Sequence, residues 1–154
     1  LEAATGSPMS TIGNILTKID PVLEKEQPDA VLILGDTNSS LAALAAKRKK
    51  IPVFHMEAGN RCFDLRVPEE INRKIVDHIA DINLVYSDHA RINLLQEGLP
   101  AAKIIKTGSP LYEVFTANRT KIEASTILQS LKLKPKKYFE LEGGNRERFG
   151  SINR

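Results

Sequence analysis

A chain of 154 residues with 42% hydrophobic residues and a net charge of +3 is long enough for one ordinary domain with a buried core, and no stretch is biased toward disorder. No apolar run approaches ~18 residues, which excludes a membrane-spanning helix. The single cysteine, Cys62, excludes an internal disulfide and fits a reducing compartment, while the basic run Lys47-Arg48-Lys49-Lys50 lacks the interleaved aromatics of a nucleic-acid surface and reads as a solvated helix end.

The chain opens Leu1-Glu2-Ala3-Ala4-Thr5-Gly6-Ser7, without an initiator methionine and without a basic stretch leading into an apolar one. It shows no signal peptide and is expected to be a fragment. Residues 9–26 carry Ile12, Ile15, Leu16, Ile19, Val22 and Leu23 at three- and four-residue steps, the period of an amphipathic helix. Pro21 predicts a kink or break near Asp20. Ala30-Val31-Leu32-Ile33-Leu34 is an apolar strand without polar alternation, which predicts burial on both faces of a parallel sheet. Gly35-Asp36-Thr37-Asn38-Ser39-Ser40 is a polar turn into an alanine-rich helix over 41–50. A strand over 52–56 and a loop over 57–67 follow.

Pro68 suits a first helical turn, and the helix over 69–80 places Ile71, Ile75, Val76 and Ile79 on its apolar face. Residues 82–86 read as a strand. Ser87 or Asp88 caps a helix that ends at Gly98, and residues 103–107 form a shorter strand. One helix is expected to about Asn118 and another over 120–133, with Pro135 breaking the pattern. Tyr138-Phe139 could begin a strand. The polar tail over 140–154 has no period and reads as frayed or disordered. Strand and helix alternate throughout, which predicts an α/β fold with a doubly wound parallel sheet.

In such sheets ligands bind beyond the carboxyl ends of the strands. Asp36, Glu57 and Glu69 fall there, and three carboxyl groups at one edge can supply an acid, a base and an electrostatic stabiliser. Asp36 could instead cap the following helix, and Glu69 could pair with Arg73 four residues on. Glu57 ends a buried strand with nothing to cap. His55 shares its side of the strand with Glu57. A metal site built on His55, Glu57 and Asp36 is the lesser reading, because zinc-ligand spacings are not matched. His78 and His89 lie on predicted helices as surface or packing residues, and Cys62 has no base near it in sequence. The turn after the first strand is neither a Walker loop nor a dinucleotide fingerprint.

Four segments taken together resemble the non-hydrolysing UDP-N-acetylglucosamine 2-epimerase family. They are Leu34-Gly35-Asp36-Thr37, His55-Met56-Glu57-Ala58-Gly59-Asn60-Arg61, Pro68-Glu69-Glu70-Ile71-Asn72-Arg73 and Lys106-Thr107-Gly108-Ser109-Pro110. The resemblance runs from near residue 8 to about residue 139. It implies a Rossmann-like domain that is part of the first domain of a GT-B-type two-domain fold: residues 1–118 as that partial domain, 119–137 as an interdomain helix or linker, and 138–154 as the start of a truncated, disordered second domain.

The activity so implied is inversion at C2 of a UDP-sugar, by elimination of UDP to a glycal and re-addition, without a metal or other cofactor. The catalytic carboxylates carry over onto Asp36, Glu57 and Glu69. His55, Arg61 and Arg73 carry over as substrate-binding or orienting residues. The resemblance further implies a cytoplasmic enzyme of envelope-polysaccharide sugar synthesis, with a UDP-sugar as its partner and a homodimer in the full-length protein. Two departures stand out. The family's His-Arg-Glu-Asn loop is replaced by Glu140-Leu141-Glu142-Gly143-Gly144-Asn145-Arg146-Glu147, and the rest of the second domain is absent, so the chain alone is expected to be inactive. Gly59-Asn60-Arg61-Cys62-Phe63-Asp64 looks more like relatives that form UDP-N-acetyl-L-fucosamine. The competing readings are a GT-B glycosyltransferase domain and a non-catalytic nucleotide-sugar binding module.

Overall fold

The computed structural model describes residues 2–4 and 6–138. Helix α1 (Pro8–Glu26) begins where Ser7 accepts a hydrogen bond from the Ser10 amide at 3.1 Å and Pro8 occupies the first turn. It runs unbroken through Pro21, against the expected break. Pro21 and Thr17, whose carbonyl loses its helical donor, are both exposed, so the carbonyl left without a donor is not buried in the core. Ile15 and Leu23 are buried on the opposite side.

Four short strands follow: β1 (Val31–Leu34), β2 (Val53–Met56), β3 (Ile82–Val85) and β4 (Ile104–Lys106). They pair in parallel in the order β1-β2-β3-β4. Between them lie a 3-10 turn (Asn38–Leu41) leading into α2 (Ala42–Arg48), α3 (Pro68–Ile79), and α4 (Asp88–Gln96) with a 3-10 turn (Ala101–Lys103). This is the α/β parallel arrangement that the alternation predicts. Right-handed crossovers that always step to the next strand place their helices on one face. The four described strands form a Rossmann-like parallel sheet with its helices on one face.

That geometry explains the burial. The register aligns Val31 with Val53, Ile33 with His55, and Asn83 with both His55 and Ile104. These residues point toward the helices. Val53, His55 and Asn83 are fully buried there, and Leu23, Leu41, Ala43, Ala46, Val76 and Ala80 pack over Ile33 and Val53. A second cluster joins Ala58, Val85, Ala90, Leu94 and Ile104. The alternate residues face the other way. Leu32 and Leu34 are 60% and 65% exposed, so the expectation that the first strand is buried on both faces fails. Period-two alternation aims Leu32 and Leu34 away from every crossover helix.

Helix α3 departs from its predicted pattern as well. Ile71 and Ile75 are exposed, while Glu70, Asn72, Val76 and Asp77 are buried. Its inward stripe is mainly polar. The basic run is absorbed locally: Lys47 pairs with Asp81 at 2.7 Å, and Lys49 meets Asp20 at 3.0 Å and Glu24 at 3.1 Å.

The chain divides into two compact units, Leu1–Pro110 and Leu111–Arg154. The second contains α5 (Leu111–Glu123) and α6 (Ile127–Ser130). Helix α5 continues past Asn118, where a boundary was expected, and the break falls at residues 124–126 instead. There the Ser125 hydroxyl accepts from the Ile127 amide, competing with helical bonding. Tyr138, the last described residue, is in no strand; Phe139 and the tail over 140–154 lie outside the described residues.

The two faces of the sheet predict opposite mutational costs. Leu94→Ala, in the fully buried cluster, should lower stability by about 2–5 kcal/mol, whereas Leu34→Ala on the open face should change it by no more than about 0.5 kcal/mol. Urea unfolding followed by circular dichroism compares them.

Candidate active site

Parallel strands deliver all their carboxyl ends to one edge, and the three predicted carboxylates lie there or beside it. Asp36 follows β1 through Gly35, which takes a left-handed φ of 77°. The Asp36 carboxylate is held by Arg73 on α3, whose Nε lies 2.9 Å from Oδ2 and whose Nη2 donates to the same oxygen. Asn72 donates to the Asp36 carbonyl at 3.0 Å and to Asn38 Oδ1 at 3.1 Å. Asp36 does not cap the turn that follows; Thr37 occupies that position and makes no side-chain cap.

Glu57 leaves β2 with φ at 65°, a conformation costly for a residue with a Cβ. Its Oε2 lies 3.4 Å from where a Cβ on Gly35 would stand, so Glu57 leans across to the Asp36 turn. Tyr86, at the end of β3, has its phenol pushed up by burial and by the Glu57 charge. No ion pair holds Glu57 among the described residues. Glu69 sits in the first turn of α3 and lines a cleft of about 410 Å3 with Thr37, Asn38 and Asn72. The expected pairing of Glu69 with Arg73 is absent, because Arg73 is committed to Asp36, to Glu70 at 2.9 Å and to the Asn60 carbonyl at 3.1 Å.

His55 and Arg61 lie deeper than the sequence indicates: neither side chain has exposed surface. His55 Nδ1 lies 2.8 Å from Asp77 Oδ1, and Nε2 lies 3.0 Å from the Gly35 carbonyl oxygen. With both nitrogens committed, His55 offers no metal a lone pair. Among the described residues no group of three His, Cys, Asp or Glu side chains is arranged to hold a metal ion. Arg61 donates to Asp77 at 2.7 Å and, through Nε and Nη2, to both oxygens of Glu97 at 2.7 and 2.6 Å. Burial alone would lower the Arg61 pKa, and the bonds to Glu97 and Asp77 more than reverse that. Arg73, 14% exposed, remains at the edge beside Asp36.

Two acids were missed. Asp77 is wholly buried and also accepts from the Gly59 amide at 3.2 Å. Glu70 is wholly buried and accepts from the amides of Cys62 at 3.1 Å and Phe63 at 3.3 Å, which suspends the loop after Glu57 from α3. Burial raises the Glu70 carboxyl, and those amides with Arg73 bring it below its ordinary range. The one signal in sequence was the run of Glu70, Arg73 and Asp77 at steps of three and four. Gly59 is required where it stands: a Cβ there would lie 2.3 Å from the Ala90 carbonyl oxygen.

Comparison with known proteins bears on this edge. A family model described as UDP-N-acetylglucosamine 2-epimerase matches residues 1–146. The solved UDP-N-acetylglucosamine 2-epimerase from Rickettsia bellii is 58% identical, with a TM-score of 0.84 over 88% of this chain and 36% of its own. The Methanocaldococcus jannaschii enzyme, solved in complex with UDP-GlcNAc and UDP, is 37% identical, with a TM-score of 0.79 over 85% of this chain and 36% of its own. The UDP-2,3-diacetamido-2,3-dideoxy-D-glucuronate 2-epimerase of Pseudomonas aeruginosa is 45% identical over 70% of this chain and 32% of its length. The chain thus spans about a third of each of these relatives.

The Arg61 pairing has a signature in acid. Hydrogen bonds from Arg61 hold the Glu97 carboxyl down from 4.5 to about 2. A depressed carboxyl contributes stability that is present above its unfolded pKa and lost as pH falls through the folded one. Wild type should therefore lose stability between about pH 4.5 and about pH 2. Glu97→Gln should be less stable at neutral pH and show a shallower loss across that window, as read from urea midpoints against pH.

Proposed function

The chain belongs to the UDP-N-acetylglucosamine 2-epimerase family, and from that premise we propose that it supplies the proton-handling edge of an enzyme that inverts C2 of a UDP-2-acetamido sugar. The C2 proton is weakly acidic, so its removal needs positioned acid–base groups. A carboxylate takes that proton while the C1–oxygen bond to UDP breaks, which leaves a glycal with a C1–C2 double bond. UDP then adds back at C1, and a carboxylic acid returns a proton to the opposite face of C2. Asp36, Glu57 and Glu69 carry these transfers, and Arg73 fixes the direction of the Asp36 carboxylate.

The observation that supports this reading most is the reach of the Glu57 carboxylate to Gly35, the residue before Asp36, with Glu57 half-exposed and free of ion pairs among the described residues. The M. jannaschii relative bound to UDP-GlcNAc and UDP supports a UDP-sugar as the substrate. The loop over residues 59–64 and the P. aeruginosa relative favour a second substrate reading, a 2-acetamido sugar modified elsewhere on the ring, of which UDP-N-acetyl-L-fucosamine formation is one case. The same proposal carries a cytoplasmic, homodimeric enzyme of envelope-polysaccharide synthesis. At about a third of its relatives' length, the chain alone turns over no substrate.

The test grafts residues 8–138 in place of the matching segment of the R. bellii protein. In deuterated water with UDP-N-acetylglucosamine, proton NMR should show deuterium entering at C2 with the graft and none with the isolated chain. Asp36→Asn, Glu57→Gln and Glu69→Gln should each slow exchange by about 100-fold or more. A folded graft that exchanges no UDP-2-acetamido sugar sinks the proposal in favour of a binding module. Transfer of the sugar to an acceptor without C2 exchange sinks it in favour of a glycosyltransferase domain.

A further inference from the structure

The wholly buried charges beneath the edge have no part in the chemistry above. His55, Asp77 and Arg61 all have side chains without exposed surface. Each ring nitrogen of His55 faces an oxygen: Asp77 Oδ1 at 2.8 Å and the Gly35 carbonyl at 3.0 Å. A carbonyl oxygen can only accept, so Nε2 must carry a proton. Asp77 also accepts from the Gly59 amide and from Arg61 Nη1, so the same side chain of α3 holds both the ring and the loop after β2.

Arg61 is shared between Asp77 and Glu97. His78, 47% exposed, meets Glu97 from the solvent side at 3.0 Å and does not reach Asp77. The register partner of His55 on β3, Asn83, donates to the Asp77 carbonyl and keeps its own Oδ1 buried without a donor. On the β1 side the register partner is the apolar Ile33. No second cation faces the ring from these elements.

We infer that His55 acts as a positioning residue, clamping the Gly35-Asp36 turn to α3 through one hydrogen bond at each ring nitrogen. Gly35 precedes Asp36 and is the residue that the Glu57 carboxylate reaches, and its amide is bonded to the Met56 carbonyl at 3.2 Å. A ring that pulls the Gly35 carbonyl inward sets the direction in which the turn presents Asp36. The inference rests on Asp36 and Glu57 forming the reactive edge only for its purpose; the clamp itself is a property of the fold.

Long-range proton–nitrogen spectra of the 15N-labelled chain resolve its three histidines. Nε2 of His55 should show the shift of a protonated ring nitrogen, with a slowly exchanging N–H proton. An unprotonated Nε2 on His55 overturns the inference, and this readout needs no variant. In His55→Gln, hydrogen exchange at the Gly35 amide should accelerate by about tenfold or more, while that at Leu94 stays within about twofold. Equal acceleration at both, or none at Gly35, overturns the positioning role. Neither measurement depends on turnover, so failure of the C2-exchange assay would leave the clamp standing, and the converse holds.

Discussion

A buried carboxylate is tolerated only where donors converge on it, and Asp77 meets that condition with the His55 ring, the Gly59 amide and the Arg61 guanidinium. Each of these donors comes from β2 or from the loop that follows it. The anion on α3 therefore fixes where that loop begins and which way it turns. Removing one partner would strand charge in the interior, which costs more than an exposed ion pair of the same geometry is worth.

Helix α3 extends this logic along its length. Glu70, Arg73 and Asp77 recur at steps of three and four and so share a face. Glu70 gathers the loop at Cys62 and Phe63, Arg73 reaches Asp36 across the gap to β1, and Asp77 secures the strand end. One helix thus orients the turns after two different strands. Because the edge is built from side chains on regular elements, its geometry is stiffer than the loops alone would provide.

The alternation of strands and helices was legible in sequence because apolar period and turn chemistry agree locally for each element. Burial was less legible. An apolar run such as Leu32-Ile33-Leu34 specifies a strand but leaves unstated which neighbours cover it. On α3 the apolar pattern pointed to Ile71 and Ile75, which are exposed, because a scan for apolar period is blind to a polar stripe satisfied by partners distant in the chain. Asp36, Glu57 and Glu69 came out of their positions after strands and from family resemblance. The depth of His55 and Arg61 was not legible, because a strand end followed by a polar loop gives no sign of it. Pro21 shows the converse error: a local rule against helix continuation yielded to solvent exposure on one side and packing on the other.

The sheet has two unlike faces. Leu32, Leu34 and Ile105 stand exposed on one, and Phe54, Met56, Ile82 and Leu84 are half-buried beside them. The polar contacts that hold the turn after β1 and the loop after β2 run to α3, on the other face. Substitutions on the first face leave those contacts untouched, so the two faces can be altered independently.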